Sequence, residues 1–206
     1  MLISHKNILL AVTGASGAIY VKTFIEKVAI HSKEIDSYLN LWVIFTQTAK
    51  AVFEEETGYK YDNYVANIEQ NCKNATTKSQ ILFVENSNYT FKYASGSNKL
   101  DCMVILPCTM GSLARISQGL SIDLIGRIAD VQLKEKRPII VVPREAPYNL
   151  IHLHNMTALT MAGATIFPAS PSFYNKPNTL NSLVDSFVER VMDIAEIVQL
   201  SERNKW

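Results

Sequence analysis

The chain has 206 residues, of which 48% are hydrophobic and 19% charged, with 20 Lys and Arg against 19 Asp and Glu for a formal net charge of +1. A chain of that length buries roughly 70% of its unfolded surface without disulfides or metals as supports, and this composition excludes general disorder. Near-neutrality removes any global pull toward nucleic acid or an anionic membrane surface, so anion binding has to come from a local cluster.

Asn7 to Thr13 is a continuous apolar run ending at Gly14, which reads as a parallel strand buried on both faces. After Gly14-Ala15-Ser16-Gly17, the spacing of Ile19, Val21, Phe24, Ile25 and Val28 predicts a helix, and Tyr38 to Phe45 returns as a second strand. Ala49 to Thr57 reads as helical. Gly58 to Lys99 is polar and rich in Asn and Tyr, with Ile81 to Val84 as a strand-like piece. Cys102 to Pro107 is a strand, followed by helices from Ser112 to Gln118 and from Asp123 to Glu135. Pro138 to Pro143 is another buried strand, Asn149 to Ala162 a helix, and Thr165 to Phe167 a short strand. The last helix is expected from Thr179 to Leu200, with Leu183, Phe187, Val191, Ala195 and Val198 as its apolar stripe. All 7 prolines stand at or after Pro107, at strand ends and turns, and mark no linker. Alternating strands and helices imply an α/β fold with a doubly wound, mainly parallel sheet in a Rossmann-like or flavodoxin-like three-layer sandwich, one domain over residues 1–206.

The 3 cysteines, Cys72, Cys102 and Cys108, form no C-x-x-C pair and leave an odd thiol, which points to a reducing, cytoplasmic setting. The run after Met1 is too brief for a signal peptide, and no window reaches ~18 apolar residues, so no membrane span is expected.

In an open parallel sheet, ligands bind beyond the carboxyl ends of the strands. Gly14-Ala15-Ser16-Gly17 reads either as a plain strand-to-helix turn or as a phosphate cradle in which the following helix offers unpaired N–H groups, and it is too short for a G-x-G-x-x-G fingerprint. Pro107-Cys108-Thr109-Met110-Gly111-Ser112 is a second such turn, with Ser112 either an N-cap or a ligand and Cys108 read as a core residue. Pro143-Arg144-Glu145-Ala146-Pro147 holds two charges between prolines at a third strand end. Arg127 and Lys134 stand two turns apart, on one edge of their helix, with Lys134-Glu135-Lys136-Arg137 as a solvated end. His152 and His154 point about 200° apart on a helix and lack a chelating partner, so no metal is expected. Gly14-Ala15-Ser16-Gly17 is also no G-x-S-x-G elbow.

Taken with Ala94-Ser95-Gly96-Ser97, Ala129-Asp130-Val131 leading to Leu133-Lys134-Glu135, and Phe173-Tyr174, these motifs resemble the flavin prenyltransferase (UbiX-type) family from about Ile8 to Trp206. The resemblance implies FMN held by Gly14, Ala15, Ser16, Thr46, Thr109, Met110, Gly111, Ser112 and Arg144. It implies dimethylallyl monophosphate gripped by Lys134, Arg144, Tyr174 and Arg190 with Arg127 nearby, and transfer of the prenyl group to N5 and C6 of reduced FMN without a metal. Ser16, Glu56, Lys134 and Glu145 are the implied catalytic set, with Tyr89 and Trp206 as aromatic walls. A UbiD-type decarboxylase would receive the product in ubiquinone biosynthesis or aromatic acid decarboxylation, and relatives assemble as homododecamers. Lys136 and Thr46 depart from the common Arg and Ser, and Gly58 to Tyr93 aligns poorly. Two other readings stand beside this one. An FMN carrier without catalysis explains the turns alone. A flavin-dependent cysteine decarboxylase is expected to carry a proline ahead of the Asn155-Met156 pair, which this chain lacks.

Overall fold

A computed structural model describes residues 5–31, 38–74 and 79–197. Its elements are β1 (His5–Val12), α1 (Ala18–His31), β2 (Tyr38–Phe45), α2 (Gln47–Thr57), α3 (Tyr61–Asn74), β3 (Gln80–Phe83), β4 (Cys102–Cys108), α4 (Met110–Ser117), α5 (Leu124–Lys134), β5 (Ile139–Pro143), α6 (Leu150–Met161), β6 (Thr165–Ile166) and α7 (Leu180–Ile194). All five strand pairings are parallel, in the order β3-β2-β1-β4-β5-β6. The chain winds outward from β1 to β3 and then returns to the other side of β1, so the sheet switches direction between β1 and β4, where a crevice opens at the carboxyl edge.

The unbroken apolar strands follow from helices covering both faces. Along β1, Ile8, Leu10 and Val12 enter one core with residues of α1, α2, α3 and α7, while Leu9 and Ala11 enter the other with α4, α5 and α6. This is the three-layer α/β sandwich that the alternation of elements predicts.

Three details differ from the sequence reading. The polar stretch after Gly58 contains a 14-residue helix, α3. Its Tyr61, Tyr64 and Ile68 are buried at helical spacing, but Asp62, Asn63 and Asn67 lie between them, Glu69 and Gln70 follow, and these polar residues hide the period. Gly58 separates α2 from α3 by taking φ 73, a left-handed cap whose N–H donates to the Glu54 carbonyl. The last helix ends at Ile194, not Leu200, and its buried stripe runs through Val184, Phe187, Val188, Val191 and Met192, leaving Leu183 half-buried. Val198, Leu200 and Trp206 lie outside the described residues.

Phe24 on α1 is fully buried against the sheet. Phe24→Ala is therefore expected to lower unfolding free energy by about 3–5 kcal/mol through lost transfer energy and a residual cavity, read as an earlier urea midpoint at unchanged slope.

Candidate active site at the carboxyl edge of the sheet

The crevice is built by three strand-to-helix turns that lean on one another. Thr13, 2% exposed, donates its hydroxyl proton to the Pro107 carbonyl at 2.9 Å and accepts the Thr109 N–H at 2.7 Å, which ties the turn after β1 to the turn after β4. The Thr46 N–H donates to the Val12 carbonyl at 3.0 Å, and the Thr46 hydroxyl caps α2 by accepting the Ala49 N–H at 3.1 Å. Thr109 caps α4 in the same way, accepting from the Ser112 N–H at 3.1 Å and donating to the Ser112 hydroxyl at 3.0 Å. The N-cap is thus Thr109, and Ser112 stands three residues inside a helix that begins at Met110. Gly14 lets α2 come close: a Cβ there would stand 2.7 Å from Thr48 Cβ.

The α1 N-terminus corrects the expectation of free donors. Glu56, near the end of α2, accepts from the Gly17 N–H at 2.9 Å and the Ala18 N–H at 2.8 Å. A carboxylate already occupies the positive end of that helix. Burial pushes the Glu56 pKa upward, but hydrogen bonds from the Ser16 hydroxyl and those two N–H groups, with the Arg144 charge nearby, outweigh it and hold the carboxyl below its usual 4.5. Arg144 is placed by its N–H donating to the Cys108 carbonyl at 3.2 Å, beyond the ends of β4 and β5. The structure therefore brings Ser16, Glu56 and Arg144 together at the crevice. Glu145 is exposed beside them and accepts the Ala146 N–H at 3.0 Å.

The other basic residues of the implied set are elsewhere in the chain. Arg127 donates to the Ala94 carbonyl at 3.0 Å and pairs with Asp130. Lys134 pairs with Glu135 at 2.7 Å next to Gly96, so both residues do share the α5 edge that faces Ala94-Ser95-Gly96-Ser97. The end of α5 is not a loose solvated face, because Arg137 donates to the Gly96 carbonyl at 2.7 Å and the Asn98 carbonyl at 2.8 Å. Lys134 lies just before Pro138, whose carbonyl accepts the Met103 N–H at the amino edge of the sheet. Lys134 and Arg144 are thus at opposite ends of the strands, roughly 15 Å of β5 apart, and one chain does not gather them into a single grip. Arg190 is exposed on α7, in the layer opposite α5, and Tyr174 is 81% exposed in the segment before α7. Tyr89 is half-exposed in the segment after β3.

Two sequence readings are settled by position. Cys108 is fully buried and burial pushes its thiol up to about 12, as suits a core residue and not a nucleophile. His152 accepts the Asn149 N–H while its own N–H donates to the Asn149 side chain, a capping box that starts α6. The structure also adds to the crevice Thr13, Arg115 and Asp123, none of which the sequence reading assigned a role. Thr13 follows β1 and Asp123 caps α5, whereas Arg115 lies on the second turn of α4, where no motif marks it.

Sheet order and switch point define a doubly wound α/β protein, and the profile of the Flavoprotein family matches residues 2–203. The flavin prenyltransferase UbiX of Methanocaldococcus jannaschii is 38% identical over 191 residues, covering 93% of this chain and 94% of that protein. The crystal structure of AnUbiX in complex with FMN and dimethylallyl pyrophosphate superposes with a TM-score of 0.80 at 33% identity, covering 98% of both chains. That of a dodecameric FMN-dependent UbiX-like decarboxylase from Escherichia coli O157:H7 gives a TM-score of 0.81 at 32% identity, covering 97% of this chain and 98% of its own. The chain belongs to the flavin prenyltransferase UbiX family and is an enzyme of that family.

The depressed pKa of Glu56 has a sign that can be measured. Its stabilising contribution is fully present above the unfolded value of about 4.5 and is lost as pH falls through the lower folded value. Glu56→Gln is expected to be less stable than the parent at pH 7, with the gap closing below pH ~4, as followed by denaturant unfolding across that range.

Proposed function

We propose that the chain transfers the dimethylallyl group of dimethylallyl monophosphate to N5 and C6 of reduced FMN, making prenylated FMN for a UbiD-type decarboxylase. The observation that carries this reading is the hydrogen-bonded Ser16–Glu56 pair beside Arg144 in a crevice of helix starts, within a family of flavin prenyltransferases. The donor set fits FMN. Thr46 and Ser112 bring hydroxyls, α2 and α4 bring first-turn N–H groups that no helix carbonyl reaches, and Gly14, Ala15, Ser16 and Thr109 to Gly111 leave room for a flat ring. Reduced FMN supplies the electron-rich N5 and C6 that accept the prenyl carbons.

The chain's own work is to detach phosphate and move a proton. Lys134, Arg144, Tyr174 and Arg190, with Arg127, bind the phosphate more tightly as negative charge develops on it, and each ~1.4 kcal/mol of that difference is tenfold in rate. Aromatic walls such as Tyr89 keep water from the allylic cation. The Ser16 hydroxyl already donates to Glu56, so a proton arriving at Ser16 Oγ passes onward to the Glu56 carboxylate, which is ionised beforehand and, with its lowered pKa, gives the proton up to solvent. Glu145 stands ready as a second carboxylate on the Arg144 side. A carrier without catalysis gives the polarised Ser16–Glu56 pair nothing to do.

The separation of Lys134 from Arg144 supports a site completed between copies of the chain. The α6 helix is mostly apolar yet leaves Leu150, Ile151, Leu153 and Met161 exposed, a surface suited to a second copy. We extend to this chain the dodecameric assembly of the Escherichia coli neighbour. One domain over residues 1–206, acting in the cytoplasm, accords with three cysteines that form no C-x-x-C pair and with no helix of the described residues long and apolar enough to cross a membrane.

Anaerobic incubation with reduced FMN and dimethylallyl monophosphate is expected to yield a flavin heavier by one C₅H₈ unit in mass spectrometry; an unchanged flavin mass would defeat the assignment. Lys134→Ala is expected to keep FMN affinity and lose at least ~10²-fold in turnover, because Lys134 meets the leaving group and not the ring. Equal loss of both would count against that role. Co-assembling Lys134→Ala chains with Arg144→Ala chains is expected to restore up to about a quarter of parent activity, since some sites then join one intact residue from each copy. No recovery in verified mixed oligomers would mean that each chain builds its site alone.

A further inference from the structure

Arg115 belongs to none of the residues given a role above, and its setting is unusual for an arginine. It is half-buried on the second turn of α4, in a small pocket shared with Thr13, Thr46, Ser112, Asp123 and Gly126 at the carboxyl edge of β1, β2 and β4. Its Nη2 donates to the Ser112 hydroxyl at 3.0 Å. Gly111 sits one turn earlier, and a Cβ there would stand 3.7 Å from Arg115 Nη1. Among the described residues, no ion pair joins Arg115 to a carboxylate.

The one acid in that pocket is already engaged. Asp123 caps α5 through Oδ1, which accepts the Gly126 N–H at 2.8 Å, and its Oδ2 accepts from the Asn86 side chain at 3.2 Å. A guanidinium has five donors and no acceptor, so a single hydroxyl leaves most of its hydrogen-bonding capacity unused. The surrounding groups have the same polarity. Thr46 and Ser112 use their hydroxyl oxygens as acceptors toward Ala49, Thr109 and Arg115, which leaves their protons to donate. The starts of α2 and α4 add the positive ends of two helices. Guanidinium, two hydroxyl protons and two helix N-termini converge there against the single carboxylate of Asp123.

We infer that Arg115 binds the terminal phosphate monoester of FMN, as a forked cation beside Ser112 and Thr46. This rests on the FMN reading proposed above and deepens it. A dianionic monoester matches the guanidinium fork, which can give it two parallel charge-assisted bonds. The neutral ring end of the flavin gains nothing from such a group. Arg115 is then a positioning residue: it anchors the tail of the flavin and so sets how far the ring extends toward Ser16 and Arg144.

Titrations of flavin fluorescence with FMN and with riboflavin, which lacks the phosphate, test the assignment on the parent chain, Arg115→Gln and Arg115→Lys. The expected result is an FMN dissociation constant raised ~10- to 100-fold in Arg115→Gln with riboflavin affinity unchanged, and a smaller loss in Arg115→Lys. The salt dependence of FMN binding should also weaken in Arg115→Gln. Should Arg115→Gln fail to fold, Arg115→Lys carries the same comparison, because it retains the charge and the apolar stem. The inference is overturned if the variants prefer FMN over riboflavin as strongly as the parent does, or if they lose both flavins equally at an unchanged melting temperature. A parent chain that binds neither flavin would instead overturn the FMN reading, and this inference with it.

Discussion

The buried hydroxyl of Thr13 is the constraint on which the rest of the crevice depends. It is a donor to the Pro107 carbonyl and an acceptor for the Thr109 N–H, so one side chain fixes the spacing of the two turns that flank the switch point. Those turns launch α1 and α4, and the turn after β2 is tied to the same strand end through the Thr46 N–H and the Val12 carbonyl. Three helix starts thereby share one edge, each tied to the end of β1. A buried, doubly used hydroxyl has little freedom to be replaced: valine would fill the space but take away the acceptor of the Thr109 N–H and leave the Pro107 carbonyl with only the Thr13 N–H, at 3.2 Å.

Charge at this edge is divided between the helix starts. The α1 terminus is filled by the protein's own carboxylate, Glu56, while those of α2 and α4 face Arg115 and hydroxyls. On the proposed reading this is a separation of tasks. An anionic ligand is kept from the α1 end, where a proton is to be received, and drawn to the α2 and α4 ends, where only binding is needed. A glycine-rich turn before a helix is therefore not sufficient to mark a phosphate site, since a distant carboxylate can fill it first.

The fold was legible in the sequence because both-face burial makes strands into apolar runs, and β2 was read to the residue as Tyr38–Phe45. The α3 helix was not, since its buried face is made of two tyrosines and one isoleucine among Asn, Asp and Glu, and tyrosine counts as polar or apolar according to its surroundings. In the site, residues next to strand ends in sequence, such as Ser16 and Arg144, were found because topology places them, while Thr46 came from the family resemblance. The bond from Glu56 to Gly17 spans 39 positions and the tie from Thr13 to Thr109 spans 96, and no local pattern encodes such distances. Family resemblance supplied Glu56, and neither resemblance nor pattern supplied Arg115.

The distance between Lys134 and Arg144 has an electrostatic rationale on the same reading. Two like charges 4 Å apart repel by about 4 kcal/mol at an effective dielectric near 20, and a grip of several cations inside one chain would set that repulsion against a folding free energy of only ~5–15 kcal/mol. Here Lys134 has Glu135 as its partner, and Arg144 has the nearby charge of Glu56. Each cation is balanced within its own subunit, so each subunit can fold before the site exists. The repulsion arises only where copies meet, and there the incoming phosphate offsets it. An oligomeric site of this kind draws in its anion because Glu135 and Glu56 offset the assembled cations only in part, so a bound phosphate completes the neutralisation.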